Sequence, residues 1–337
     1  MTHFHLRTPT LDNYWRAIML FGRNVASYKF ALAKTLLDTA ANGVSEVSLK
    51  ELAVPFSRNL CEHVTHADKQ STSRTSTYLN ACRAFNQGMI DQDELVGTTV
   101  KLAFNNVIDA FHIVNQKEVD TRFFIDQRGD GRGISLTDSL FRLSETFQAA
   151  SLEPEIEARW RLVETAWSLD MSRNIIQAET SSDTLFVSGQ RRINVTSSRN
   201  ALNGYQRGHC FYCFDEISIA PRSTSLADVD HFFPWVLKRD GSSDDLDGVW
   251  NLVLACRECN RGANGKMARV PSLAFLGRLY QRNEFLIESH HPLRETLILQ
   301  TGKLPEGRRS FLQRRYSEAS AKLVHSWEPA PKQQLIL

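Results

Sequence analysis

Four of the six cysteines in this 337-residue chain fall into two Cys-x-x-Cys pairs, Cys210-Phe-Tyr-Cys213 and Cys256-Arg-Glu-Cys259, separated by residues 214–255. No other feature restricts the fold as strongly. A Cys-x-x-Cys turn aims two thiolates at one point in space. Two such turns supply four sulfurs at tetrahedral angles, the set that suits zinc. A shell closed by four sulfurs leaves no position for water or substrate. The ion expected here is therefore structural Zn²⁺, with its binding coupled to folding of the surrounding segment. Cys61 and Cys82 stand alone in the sequence and read as small core residues.

Metal is the better reading of the paired cysteines because nothing points to an oxidising compartment. The chain opens Met-Thr-His-Phe-His-Leu-Arg, which lacks the apolar stretch of a secretory leader. No run of about 18 apolar residues occurs, so a membrane partner is not expected. The expected location is the cytoplasm, where disulfides are rare. A hydrophobic content of 42% and a charged content of 23% fit a globular chain whose core need not depend wholly on metal. The net charge of +2 names no partner.

The first half has helical periodicity. Trp15, Ile18, Met19, Val25, Tyr28, Leu32 and Leu36 predict one helix ended by Asn42-Gly43. Ser48 and Glu51 form a capping-box pattern that opens a second helix. Further helices are predicted over about 73–88, 94–114, 136–149 and 154–170, the last starting at Glu153-Pro154. The glycines of 127–133 predict a loop. Leu185-Phe186-Val187 and Ile193-Asn194-Val195 read as short strands after a Ser/Thr-rich change in composition, and a domain boundary is expected near residue 196. The Pro-rich tail from Glu328 reads as a peripheral strand or a loose terminus.

Between the cysteine pairs lie Asp228-Val229-Asp230-His231-Phe232-Phe233-Pro234, then Asn251 opening a helix-like Asn251–Cys256, then Asn260 directly after Cys259. The order Asp-His, Asn, Cys-x-x-Cys-Asn, with Lys266 shortly after, resembles the HNH (ββα-metal) endonucleases, in the four-cysteine zinc branch to which phage endonuclease VII belongs. The likeness covers about residues 205–270. It implies a zinc-pinned ββα-metal nuclease domain (196–275). With the helical periodicity ahead of it, the expected chain is α+β, a mainly α-helical recognition, regulatory or dimerisation domain (1–195) preceding that domain. A basic helical extension (276–337) would pack on the nuclease domain.

The chemistry accounts for the residue types. Phosphodiester hydrolysis needs an activated water, and histidine is the residue type whose ordinary pKa suits taking its proton, which makes His231 the candidate base. Asp230 and Asn260 offer hard oxygens to Mg²⁺ or Mn²⁺, an ion that keeps much of its water shell and neutralises the phosphate and the departing 3′ oxygen. Many HNH relatives carry His where this chain has Asn260, which leaves the metal preference open. Adjacent strand residues point to opposite faces, and the resemblance places Asp230-His231 at a strand end, where Pro234 stops the ladder. By the same resemblance, Asn251 belongs to the catalytic set as a tether of the long loop 232–250, which contains Gly241, Ser242, Ser243, Asp244 and Asp245. Asp228 reads either as an assisting metal ligand or as an exposed turn residue.

After the site the chain turns basic: eleven Lys and Arg against four Glu between Arg261 and Arg315. The candidate phosphate contacts are Lys266, Arg261, Arg269, Arg308 and Arg309. His209, His290 and His291 read as polar surface residues. The expectation is a DNA endonuclease leaving a 5′ phosphate. Its large helical extension resembles those of bacterial defence or restriction nucleases, so a homodimer or a partner defence protein is also expected. The rival expectations are a zinc-stabilised nucleic-acid-binding module without catalysis, and a nuclease subunit silent until a partner activates it.

Overall fold

In the computed structural model, the residues described are 10–21, 26–71, 75–114, 116–168, 175–179, 184–188, 193–240, 246–288, 292–323 and 325–329. The class is α+β and mostly helical, with thirteen α-helices and small two- and three-stranded sheets among these residues. The chain divides into two compact units, residues 8–173 and, with the first seven residues, 174–337. The division falls after Arg173, so the expected boundary at 195/196 lies inside the second unit. The composition change near 176 marks the sheet that begins that unit.

The first unit is built from α1 (Leu11–Phe21), α2 (Tyr28–Ala41), α3 (Leu49–His66), α4 (Thr77–Asn86), α5 (Gln92–Leu102), α6 (Phe104–Ala110), α7 (Asp138–Ser144) and α8 (Ala149–Ser168). The single helix read from Trp15 to Leu36 is two. Ser27 is withdrawn from a helical ladder because its N–H donates to Gln70 O (3.0 Å) and its hydroxyl to Gln70 Oε1 (2.6 Å). Val25 lies outside the described residues. Asn42 and Gly43 end α2, with Gly43 at φ 71°. The Ser48–Glu51 capping box opens α3 as read from the sequence, with both reciprocal bonds present. The helix expected over 94–114 divides at Ala103 into α5 and α6. The last helix of the unit begins at Ala149, so Pro154 sits inside it rather than at its start.

This unit's core is aromatic: Trp15, Phe30, Phe56, Phe104, Phe111, Phe123 and Trp160 are at most 1% exposed. Beside Trp160 lies a buried polar network. The His63 ring stacks on Trp160 at 3.5 Å between centroids. It bonds Glu164 through Nδ1 (2.7 Å) and Glu157 through Nε2 (3.1 Å). The loop 127–133 joins β4 (Phe124–Asp126) to β5 (Ile134–Leu136), which also pairs with β1 (Glu46–Val47). Ile113–Val114 (β2) and Lys117–Glu118 (β3) form a short hairpin.

The second unit opens with an antiparallel three-stranded sheet, β6 (Ile175–Glu179), β7 (Thr184–Ser188) and β8 (Ile193–Ser197), followed by α9 (Ser198–Gln206). Then come β9 (Asp228–His231), β10 (Leu252–Ala255) and α10 (Arg257–Arg261). Three longer helices follow: α11 (Leu273–Glu288), α12 (Arg294–Thr301) and α13 (Pro305–Lys322). Asn251 does not open a helix. It ends a 3-10 turn (Val249–Asn251), and Leu252–Ala255 is a strand buried along its whole length. A short unbroken apolar run fits either element, and pairing with β9 decides it. Just ahead of the Pro-rich tail, Ser326–Trp327 (β12) pairs parallel to Val270–Pro271 (β11), and Glu328-Pro329 continues outside any strand. The tail's continuation from residue 330 lies outside the described residues. No helix among the described residues is long and apolar enough to cross a membrane.

Candidate functional site

The four paired cysteines converge. Their sulfurs lie within 4.8 Å of one another, and they are the one group of three or more His, Cys, Asp or Glu side chains among the described residues able to hold a metal ion. Cys213 Sγ is 3.7 Å from Cys256 Sγ. A tetrahedron with Zn–S of about 2.3 Å has an S–S edge of about 3.8 Å, which the Cys213–Cys256 edge matches. Cys256 caps α10, its sulfur accepting the Cys259 N–H at 3.4 Å. Hydrogen bonds among the sulfurs, those with Cys210 foremost, raise the Cys213 and Cys259 thiols and lower Cys256. Four thiolates this close repel one another, and a dication removes that penalty.

β10 ends directly before Cys256, and residues 214–227 lead from Cys213 to β9. β9 and β10 pair antiparallel, with His231 opposite Leu252, Asp230 opposite Val253 and Asp228 opposite Ala255. The free edge of β10 is closed by side-chain and backbone groups. Gln206 Oε1 accepts from Leu254 N (2.7 Å), and its Nε2 donates to Leu254 O (2.7 Å). Phe211 N donates to the same carbonyl at 2.9 Å. Buried Arg282 donates to the carbonyls of Val249 and Trp250 (3.2 Å each) and Leu252 (2.6 Å). Burial lowers its guanidinium to about 10, which leaves it charged at neutral pH.

The strand pleat sends the Asp-His residues to different partners. Asp230, 6% exposed, accepts the Tyr212 hydroxyl at 2.6 Å and pairs with Lys266 Nζ at 3.1 Å. Burial, with the Asp230 carboxylate beside it, pushes the Tyr212 hydroxyl well above its ordinary value, so it stays a donor. Asp228 lies on the same side of the strand. It accepts Asn260 Nδ2 at 3.1 Å and pairs with Arg261 Nε at 2.9 Å. Of the two readings of Asp228, the exposed turn residue is excluded, since it is a strand residue with 16% of its side chain exposed. His231 faces the other way, with Nε2 3.2 Å from Asp247 Oδ1. Asn260 thus meets Asp228 directly, whereas the candidate metal pair Asp230 and Asn260 share no bond among the described contacts.

Asn251 is fully buried and clips both ends of the loop that follows His231. Its Oδ1 accepts Phe233 N (2.8 Å), and its Nδ2 donates to Phe233 O (3.1 Å) and Leu246 O (2.9 Å). Gly241, Ser242, Ser243, Asp244 and Asp245 lie outside the described residues. The turn after α10 is tight at Gly265, where an added Cβ would sit 2.8 Å from Glu258 O. That turn returns Lys266 beneath the site, where Nζ also donates to His231 O at 2.9 Å.

Several expected phosphate contacts are internal instead. Lys266 is fully buried. Arg308 is 5% exposed and doubly bonded to Glu284 (2.5 and 2.6 Å). Arg269 donates to the backbone carbonyls of Asn264 (3.2 Å) and Gly265. Arg278, outside that candidate set, is internal too: it lies over the Phe214 and Phe275 rings and donates to Phe211 O and to Tyr212 O (3.0 Å). Folding a segment poor in regular hydrogen bonding consumes these cations as donors to loop carbonyls. Arg261, with 63% of its side chain exposed, and Arg309 and Arg314 on α13 remain at the surface. His209 bonds Arg207 O through Nδ1 (2.7 Å), and His290 and His291 lie outside the described residues.

Sequence reasoning missed Asp247, Tyr212, Arg278 and Arg282 as parts of this site. Tyr212 sits inside the first Cys-x-x-Cys turn and could have been found there. Asp247 follows two other acids, Asp244 and Asp245, and carries no signal of its own. The chain matches no family model, no curated protein and no solved structure.

Proposed function

We propose that this protein is a metal-dependent endonuclease of the HNH type, hydrolysing DNA phosphodiester bonds. The observation that carries this reading is the joint position of the sulfur cluster and the polar residues. The cluster grips both the turn that carries Tyr212 and the helix that carries Asn260, so the Asp228–Asn260 and Asp230–Tyr212 contacts form on one side of β9. Two antiparallel strands followed by a short helix, with Asp-His on the first strand and Asn on the helix, is the arrangement that the resemblance calls for.

The residues present fit a hard divalent ion such as Mg²⁺ or Mn²⁺. Each Asp230 oxygen has a lone pair beyond the one used, and Asn260 donates through Nδ2, which leaves its oxygen to accept. The candidate ligands are Asp230 and Asn260, with Asp228 able to assist. When bound, such an ion supplies charge neutralisation at the phosphate and leaving oxygen. His231 takes a proton from water. The resulting hydroxide forms the new P–O bond as the P–O3′ bond breaks, giving a 5′ phosphate. Asn251 keeps His231 at the strand end. Arg261, Arg309 and Arg314 are the surface cations available to the DNA backbone. The helical first unit is assigned target recognition or partner sensing, in keeping with bacterial defence or restriction.

A second reading is a zinc-stabilised nucleic-acid-binding module. It is favoured by the ion pairs that Lys266 and Arg261 make with the two aspartates. The test is nicking of supercoiled plasmid with Mg²⁺ or Mn²⁺ by the wild type and by His231→Ala at equal zinc content. Removing a general base lowers the rate about 10²–10⁴-fold, so nicking lost in a folded variant supports the nuclease. DNA binding without metal-dependent cutting by either protein supports the module.

A further inference from the structure

Asp247 has no place in the sequence pattern that leads to the proposed site, yet the fold brings it to the side chain on which that site turns. His231 closes β9, with 8% of its side chain exposed, and Asp247 comes sixteen residues later, with 28% exposed. Their contact, Nε2 to Oδ1 at 3.2 Å, is built by the surrounding hydrogen bonds. Phe232 N donates to Asn251 O (2.8 Å), which fixes the backbone just after His231. Asn251 Nδ2 donates to Leu246 O (2.9 Å), which fixes the backbone just before Asp247. One buried residue, Asn251, therefore sets both partners at once, through its backbone carbonyl and its side-chain amide.

From this geometry we infer that Asp247 is the positioning residue for His231, holding its ring by the Nε2–H and presenting Nδ1 to the water. The inference rests on the nuclease reading for its catalytic consequence, although the hydrogen bond itself does not. A carboxylate only accepts, so the nitrogen facing it carries the hydrogen. In the neutral ring the other nitrogen then holds the lone pair. The proton from water goes to Nδ1, the Nε2–H stays in place, and the hydroxide oxygen bonds to phosphorus. No hydrogen bond occupies His231 Nδ1 among the described residues. A base oriented through its second nitrogen by a third group is a general device for activating a nucleophile. Partners that orient a metal-bound histidine contribute about 10–100-fold to activity, and an effect of that order is expected for one that orients a histidine base.

Two measurements on the zinc-loaded full chain test the inference. The first is ¹⁵N–¹H NMR of the histidine rings, which needs no substrate. The expected result is a His231 Nε2 proton protected from exchange in the wild type, lost in Asp247→Ala and retained in Asp247→Glu. Absence of that proton in the wild type, or its survival in Asp247→Ala, overturns the inference. The second is plasmid nicking with Mn²⁺. Asp247→Ala should lower kcat about 10–100-fold and leave KM for DNA within about twofold, with partial recovery in Asp247→Glu. If Asp247→Ala unfolds, the near-isosteric Asp247→Leu, which has no acceptor, takes its place in both measurements. Wild-type nicking abolished by His231→Ala but untouched at Asp247 would sink the inference and leave the nuclease standing. A wild type that does not nick sinks the nuclease reading, and the NMR result then decides the Asp247–His231 bond alone.

Discussion

The two units of this chain solve the same problem with different materials. The first buries a continuous set of large aromatic side chains between helices, and its polar interior includes a network around His63. The second has short strands and long irregular connections. Their carbonyls are satisfied by Arg278, Arg282, Arg269 and Gln206, and the connections are gathered by four sulfurs. A helical core supplies its own hydrogen bonds and needs only apolar area. A segment that must hold Asp228, Asp230, His231 and Asn260 at fixed places has few regular bonds to spare, and it takes its rigidity from cross-links and buried cations. On the proposed reading, chemistry belongs to the unit whose connections are tied by side chains and by four cysteines able to hold a metal.

The largest break in that symmetry should come from the cysteines. In Cys256→Ser the full chain should lose the thermal transition of the second unit and keep that of the first, as read by calorimetry. Structural zinc contributes on the order of 10 kcal/mol in small zinc domains, comparable with the whole stability of a domain, about 5–15 kcal/mol. A smaller effect is expected at Lys266. Lys266→Met leaves the buried Asp230 with only Tyr212, and loss of one partner of a buried pair costs about 3–5 kcal/mol. The second transition should move down while the first stays fixed. Equal shifts in both would mean that the units are not separable in this way.

The smallest effect belongs to the first unit and depends on pH. Burial works against the charge on His63, but bonds to Glu157 and Glu164 raise it above its ordinary 6.5. Burial also opposes ionisation of Glu157, yet His63, Lys34 and Arg161 hold it down at about 2. A raised histidine stabilises the fold below 6.5, and that contribution disappears as pH climbs through the raised value. A lowered carboxyl stabilises above 4.5, and its contribution disappears as pH falls toward 2. The first transition should therefore be highest between these limits. His63→Gln should flatten its dependence on pH in melts, with the second transition unaffected.

The sequence disclosed these two regions unequally. The cysteines were legible because four sulfurs at zinc spacing have few other uses, and the Ser48–Glu51 cap was legible because it is local. Leu252–Ala255 was misread because a short buried apolar run has no period of its own. The break at Ser27 was hidden because it depends on Gln70, far along the chain. The basic stretch after Asn260 suggested a phosphate-binding face, yet Lys266, Arg278, Arg282 and Arg308 turned inward. Charge counted along a sequence cannot tell a cation for a ligand from one for a carbonyl. Asp247 escaped for a similar reason: its partner is chosen by the Asn251 clip.

The central claim is that the sulfur cluster, and not the surrounding apolar core, holds the segment bearing Asp230, His231 and Asn260 in shape. Hydrogen exchange of the full chain, followed by mass spectrometry before and after zinc is removed with a chelator, tests it most directly. Peptides spanning 205–270 should lose protection, while those spanning 28–66 keep theirs. Unchanged protection over 205–270 would contradict the claim, as would equal loss in both regions.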